Sequence, residues 1–150
     1  MVVCFTWLVA RGAVLTWKNL RKRGIRLCSR CYLSGKETET NNHMFLHCKF
    51  TNQLWDMFIN LKRVRWTKPG NTVDLLASCN KGNSGNRVRW KIVLASIWWT
   101  IWKERNARCF ENTSCSLQKI KSKCILLFGF WCISENINTH DVISEVLGPL

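Results

Sequence analysis

The residues best suited to chemistry lie in one short window of the chain. It holds three cysteines and two histidines: Cys28, Cys31, His43, His47 and Cys48. Two cysteines separated by two residues can form a tight thiolate turn, and a later histidine and cysteine can complete a tetrahedron of sulfur and nitrogen ligands. Zinc prefers this ligand set. The spacing therefore predicts zinc as a cofactor.

The charge balance predicts a polyanionic partner. Lys and Arg number 23 against 9 Asp and Glu, which leaves a formal net charge of +14. The first 36 residues carry eight basic side chains and no acidic one. A positive field of this kind attracts nucleic acid, so we expect RNA or DNA to bind through its phosphates. The alternative is a basic protein without such a partner.

Catalysis and membrane insertion find little support. The acidic residues are scattered and form no paired carboxylate motif for two-metal chemistry. The apolar runs VLASIWWTIW and ILLFGFWCI reach about half of the roughly 20 residues that span a bilayer. Nine cysteines, an odd number, and an opening without a secretory pattern indicate a reducing compartment. We expect a protein of the nucleus or cytoplasm that is not an enzyme.

The segment before the window is expected to form two short helices. Residues 3–10 are apolar and predict a buried helix, with a strand as the alternative. Thr16 is placed to cap a short basic helix that Gly24 ends, and Trp17 and Leu20 would anchor that helix inward.

Basic and aromatic residues near the window are the candidates for nucleic-acid binding. They are Lys18, Arg21, Lys22, Arg23, Arg26, Arg30, Arg63, Arg65 and Trp66. Lysine and arginine would contact phosphates, and the tryptophan would stack on a base. The alternatives are a solvated helical face and a tryptophan that anchors a helix end.

The rest of the chain also has helical patterns. The polar KETETNN is expected to be an exposed loop, and a helix over 52–61 would bury Leu54, Trp55 and Phe58. A short helix over 73–78, a Trp-rich helix over 88–110 and a last helix over 117–133 follow. The six other cysteines are expected to pack as small apolar groups: Cys4, Cys79, Cys109, Cys115, Cys124 and Cys132.

The predicted fold class is mainly α, a small helical domain with a zinc-knuckle loop, followed by a long Trp-rich helix and a C-terminal helix. The glycines, serine and asparagines of CNKGNSGNR indicate a flexible linker. The predicted parts are a knuckle domain over 1–66, a linker with a possible short helix over 67–87, a helical tail over 88–135 and a frayed C-terminus over 136–150.

Three blocks of the sequence carry a family resemblance. They are FTWLVARGAVLTWKNLRKRGI, RCYLSGKETETNNHMFLHCKFTNQLW and IWWTIWKERNARCFEN. Together they resemble the zinc-binding domain that follows the polymerase in reverse transcriptases of plant LINE-type non-LTR retroelements. The resemblance covers about residues 5–115. It implies Cys31, His43 and Cys48 as zinc ligands, and it aligns the family's second cysteine with Ser34.

Ser34 departs from the family pattern, because a serine hydroxyl is a poor zinc ligand. Cys28 lies two residues before Cys31 and would restore a thiolate pair, whereas His47 would supply a nitrogen. The predicted metal site is therefore Cys28, Cys31, His43 and Cys48, with His47 in reserve. The alternative is a degenerate site that no longer holds metal.

The resemblance implies a part of a retroelement protein, and a product without a cellular role is one of the possibilities. The expected protein is a zinc-binding domain of a retroelement reverse transcriptase that binds nucleic acid without sequence preference. It would be a truncated remnant without polymerase activity, with a polymerase domain as a further partner. The alternative is a helical protein-interaction module whose metal site is structural or degenerate.

Overall fold

The computed structural model describes residues 2–62 and 67–137. Their elements are α1 (Val2–Ala10), α2 (Trp17–Lys22), a π-helical turn (His43–His47), α3 (Lys49–Lys62), α4 (Thr72–Ser78), α5 (Ser84–Phe110) and α6 (Leu117–Ser134). The predicted mainly helical fold is confirmed, with no strand in the described ranges. Arg63, Arg65, Trp66 and most of the predicted frayed C-terminus lie outside these residues.

The long helix α5 forms the centre of the core. It packs against α1, α3, α6 and the π-helical turn. Ile97, Trp98 and Ile101 on α5 are fully buried. The indole Nε1 of Trp98 donates a hydrogen bond to the Phe45 carbonyl at 3.1 Å, and the two rings meet edge to face. The predicted Trp-rich helix is therefore the element on which the segment around the metal window rests.

Helix α2 ends as predicted but begins differently. Gly24 adopts φ 79°, and the N–H of Ile25 donates to the Leu20 carbonyl, which closes the helix. Thr16 occupies the N-cap position, yet its side chain makes no capping hydrogen bond. Instead the Glu39 carboxylate accepts from the Trp17 N–H at 2.8 Å. The predicted hydroxyl cap is wrong, because a carboxylate from a distant loop takes its place.

Two other elements extend beyond their predicted bounds. Helix α5 begins at Ser84, because the Asn83 side chain accepts a hydrogen bond from the Asn86 N–H and so caps the helix. Its first residues therefore lie inside the predicted linker. Helix α3 begins at Lys49 and buries Leu54, Trp55 and Phe58, as predicted.

The cysteines outside the window divide by burial. Cys79, Cys124 and Cys132 are buried, as expected for small apolar groups, and Cys109 and Cys115 are half-buried. Cys4 is exposed, so its predicted packing is wrong. Across the described helices, none combines the length and apolar character needed to cross a membrane.

Candidate metal centre

Three of the predicted ligands converge in the interior. Cys31, His43 and Cys48 are buried, and their ligand atoms all lie within 4.8 Å of one another. The two Sγ atoms are 3.9 Å apart. A tetrahedral zinc ion with Zn–S bonds of about 2.3 Å holds its sulfurs about 3.8 Å apart. The cluster therefore fits a zinc ion with only a small adjustment.

The π-helical turn brings two of these ligands to the same side. The N–H of Cys48 donates to the carbonyl of His43, five residues earlier, at 2.6 Å. In an α-helix each residue turns by about 100°, so two residues five apart would face about 140° away from each other. The wider turn reduces this angle, and turns of this kind occur often at functional sites.

The imidazole of His43 is oriented by a carboxylate. Its Nδ1 lies 2.7 Å from Oε2 of Glu37. Its Nε2 is buried and has no hydrogen-bond partner among the described residues. A histidine that binds metal through one nitrogen commonly donates its other N–H to a carboxylate. His43 therefore has the arrangement of a metal ligand, with Nε2 as the donor atom.

Both thiols are supported by backbone N–H groups. The N–H groups of Leu33 and Ser34 hydrogen-bond to Cys31. Those of Phe50 and Thr51 hydrogen-bond to Cys48. Such bonds stabilise thiolates, which are the form that binds metal.

The two thiols also share a hydrogen bond, which separates their acidities. The bond from the Cys48 thiol lowers the pKa of Cys31, and burial opposes this only in part. The same bond raises the pKa of Cys48, as do its burial and the nearby Cys31 charge. The two thiols are therefore expected to ionise in two steps that belong to the pair, the first at a lower pH than the second.

A buried ion pair joins the metal loop to α5. Nε and Nη2 of Arg105 donate to the two carboxylate oxygens of Glu39 at 3.1 and 2.7 Å, and both side chains are fully buried. The guanidinium also lies over the rings of Tyr32, Trp102 and Phe110. The prediction of KETETNN as an exposed loop is wrong at Glu39, because this carboxylate is the partner of a buried arginine.

A second arginine of α5 holds the cysteine turn. Nη1 of Arg108 donates to the Leu33 carbonyl at 3.1 Å, and its Nε donates to Glu104 at 2.8 Å. The Arg108–Glu104 pair has the i, i+4 spacing at which ion pairs form on one face of a helix. The contact with the turn was not predicted, since 75 positions separate the two residues. One signal for such contacts is a charged residue inside an apolar helix, because that residue needs a buried partner.

The other two ligand candidates lie elsewhere. Cys28 is exposed and outside the cluster of three ligand atoms. His47 is also exposed, and its Nε2 lies 3.0 Å from the Gly70 carbonyl. The oxygen of Ser34 is buried and has no hydrogen bond of ordinary geometry to a described residue. It nevertheless lies near enough to Cys31 to contribute to the lowered pKa of that thiol.

The basic candidates for nucleic-acid binding lie on the surface beside this centre. Six of them are described and all are exposed: Lys18, Arg21, Lys22, Arg23, Arg26 and Arg30. The ion pairs found within the described ranges use none of them. Trp17 and Leu20 hold α2 in place from its inner side, as predicted, and the Trp17 indole donates to the Leu27 carbonyl at 3.0 Å.

Residues 1–55 match the family model described as zinc-binding in reverse transcriptase. The resemblance to that zinc-binding domain is therefore confirmed over this part of the chain, and its plant LINE-type origin stays a prediction. No curated protein and no solved structure matches the chain. The matched part contains all three converging ligands, whereas Arg105 and Arg108 lie beyond it. The match and the Cys31, His43 and Cys48 cluster together support a zinc-binding domain.

Proposed function

We propose that this domain binds one zinc ion through Cys31, His43 and Cys48. The observation that carries the proposal is the clustering of His43 with two thiols, where the buried Nε2 has no hydrogen-bond partner in the part of the chain that the structure describes and Glu37 lies on the opposite nitrogen. A zinc ion there would join the cysteine turn to the π-helical turn. Its role is structural, and the proposed function includes no catalysis.

We propose further that the exposed basic surface around α2 binds RNA or DNA without sequence preference. Its charges are free to contact phosphates, because the ion pairs among described residues lie elsewhere. Arg30 directly precedes the ligand Cys31, so an ordered metal loop also fixes the position of this arginine. The same proposal includes a location in the nucleus or cytoplasm and a polymerase domain of a retroelement reverse transcriptase as a partner.

A gel shift with generic RNA and single-stranded DNA over a salt series tests nucleic-acid binding. Binding should weaken steeply as salt rises, because each phosphate contact releases counterions. A triple alanine variant of Lys18, Arg21 and Lys22 should bind more weakly and show a shallower salt dependence. The absence of binding by the parent chain at low salt would rule the proposal out.

A second triple variant controls for net charge. Lys81, Arg87 and Lys91 are exposed and lie at or near the N-terminal end of α5. Their replacement by alanine removes the same charge from a distant surface. Equal loss of binding in both triple variants would show that only overall charge matters, and it would remove the assignment to α2.

One observation favours the alternative, a helical protein-interaction module. Leu126, Phe130 and Ile133 lie at helical spacing on α6 and are 73, 64 and 66% exposed. An exposed apolar stripe of this kind is typical of a protein contact. In that case Phe130→Glu would abolish capture of a protein partner and leave the gel shift unchanged, whereas the α2 variant would do the reverse.

A further inference from the structure

The three converging residues provide three ligands, and structural zinc sites almost always have four. Cys28 is exposed and lies outside the cluster. The Nε2 of His47 is already at hydrogen-bond distance from the Gly70 carbonyl. Neither side chain reaches the three converging ligand atoms in this fold. A fourth ligand must therefore come from another group beside them.

Ser34 lies beside the cluster, close enough to Cys31 for its side chain to lower the pKa of that thiol. It lies three positions after Cys31, in a turn that is closed by a hydrogen bond from the Gly35 N–H to the Cys31 carbonyl at 2.7 Å. Gly35 adopts φ 71°, which favours glycine. This turn directs the Leu33 and Ser34 N–H groups to the Cys31 sulfur. A cysteine at position 34 would therefore place its sulfur beside that of Cys31.

Serine at this position leaves the hydroxyl short of the metal. A C–O bond is shorter than a C–S bond, so the oxygen stops before the point that a sulfur would reach. The Ser34 oxygen is nonetheless buried and has no hydrogen bond of ordinary geometry to a described residue. The hydroxyl lies beside the Cys31 sulfur and helps to lower the pKa of that thiol, so its oxygen lone pairs remain available to a bound molecule that donates a hydrogen bond.

We propose that a solvent molecule held by the Ser34 hydroxyl is the fourth ligand, so that the metal keeps one exchangeable position. This inference rests on the proposed zinc binding. The proposed site therefore differs from a closed site with four protein ligands, because small anions can replace the bound solvent. The ligand set is then two thiolates, one imidazole and solvent.

Cobalt(II) substituted into the whole chain tests the proposal, because its absorption reports both the thiolates and the geometry. The absorption spectrum of the cobalt-substituted parent should contain charge-transfer bands from two thiolates. Added azide should change the visible bands of that spectrum. Ser34→Cys should add the charge transfer of a third thiolate and remove the effect of azide. It should also bind zinc at least about tenfold more tightly, since a thiolate replaces solvent.

Zinc titrations of other variants separate the candidates. Ser34→Ala should weaken zinc binding by about tenfold, as losses of outer-shell hydrogen bonds typically do, while the exposed control Ser29→Ala should not. Cys28→Ser and His47→Ala should leave zinc affinity and cobalt absorption unchanged. Circular dichroism confirms that each variant is folded.

Three results would overturn the proposal. They are loss of a thiolate band in Cys28→Ser, a change of ligand field in His47→Ala, and a parent spectrum that azide leaves unaltered. A different result bears on the proposed function itself. If neither the parent nor Ser34→Cys binds cobalt or zinc while both remain folded, zinc binding fails and the inference fails with it.

Discussion

The two sides of α5 are held by different kinds of contact. Toward the metal loop, its C-terminal end uses charged groups, with Arg105 on Glu39 and Arg108 on the carbonyl of Leu33. Helix α6 packs along α5 and buries the apolar side chain of Ile120, and its Phe128 meets Phe58 of α3 edge to face. Charged contacts fix one geometry and fail when one partner is lost, whereas apolar contacts lose free energy in proportion to the missing volume. The charged contacts should therefore affect metal binding, whereas the apolar contacts should affect only folding.

The largest expected effect comes from Arg105→Ala, which leaves Glu39 buried without its partner. We expect a loss of about 3–5 kcal/mol in the free energy of unfolding, measured by urea denaturation. The exposed control Arg87→Ala should change it by no more than about 0.5 kcal/mol. A double variant, Arg105→Met with Glu39→Gln, should recover part of the loss, because the neutral amide oxygen can still accept from the Trp17 N–H. A loss below about 1 kcal/mol in the single variant would contradict the importance of this pair.

On the apolar side, Ile120→Ala should lower the free energy of unfolding by about 2–5 kcal/mol, because it leaves a cavity between α6 and its neighbours. Its zinc affinity, measured on the folded variant, should equal that of the parent. Ile133→Ala is the matched control, since that side chain is 66% exposed. A large change in zinc affinity in Ile120→Ala would remove the distinction between the two sides.

A smaller effect, limited to the metal, is expected for Glu37→Gln. The carboxylate lies 2.7 Å from His43 Nδ1 but is 70% exposed, so its loss should affect zinc affinity far more than stability. Losses of such outer-shell partners typically cost 10–100-fold in affinity, which a competition titration with a chelator measures. The exposed Glu135→Gln serves as the control. If the two variants bind zinc equally tightly, Glu37 does not contribute to the metal site.

The last expected effect needs no substitution and is a dependence of zinc affinity on pH. The pKa of Cys31 is lowered by the hydrogen bond from Cys48, and the pKa of Cys48 is raised by the same bond. We therefore expect the pair to share one proton near neutral pH, which zinc binding must displace. Affinity should rise about tenfold per pH unit between about pH 7 and 9 and fall correspondingly as pH decreases. A flat profile would show that both thiols are already ionised.

Local patterns were enough to predict most elements and three converging residues. Gly24 ends α2 and Leu54 and Trp55 face the core, because helix ends and apolar stripes depend on neighbours within a few positions. Cys31, His43 and Cys48 were implied by the family pattern, which the match over residues 1–55 supports.

Contacts between distant positions were not predictable in this way. The burial of Glu39 depends on Arg105, and 66 positions separate the two. A polar heptapeptide is ordinarily solvated, so composition alone favours an exposed loop. The widened turn at His43 also leaves no local signal, because its apolar pattern is that of any helix.

The distance along the chain between Glu39 and Arg105 also has a consequence for synthesis. At about 5–20 residues per second, the ribosome adds the 66 positions between them in about 3–13 s. During that interval the nascent metal loop has its thiols and its histidine but not the guanidinium that neutralises Glu39. We expect the loop to remain open to solvent until α5 emerges, so that a segment translated before α5 reaches its native structure only after it.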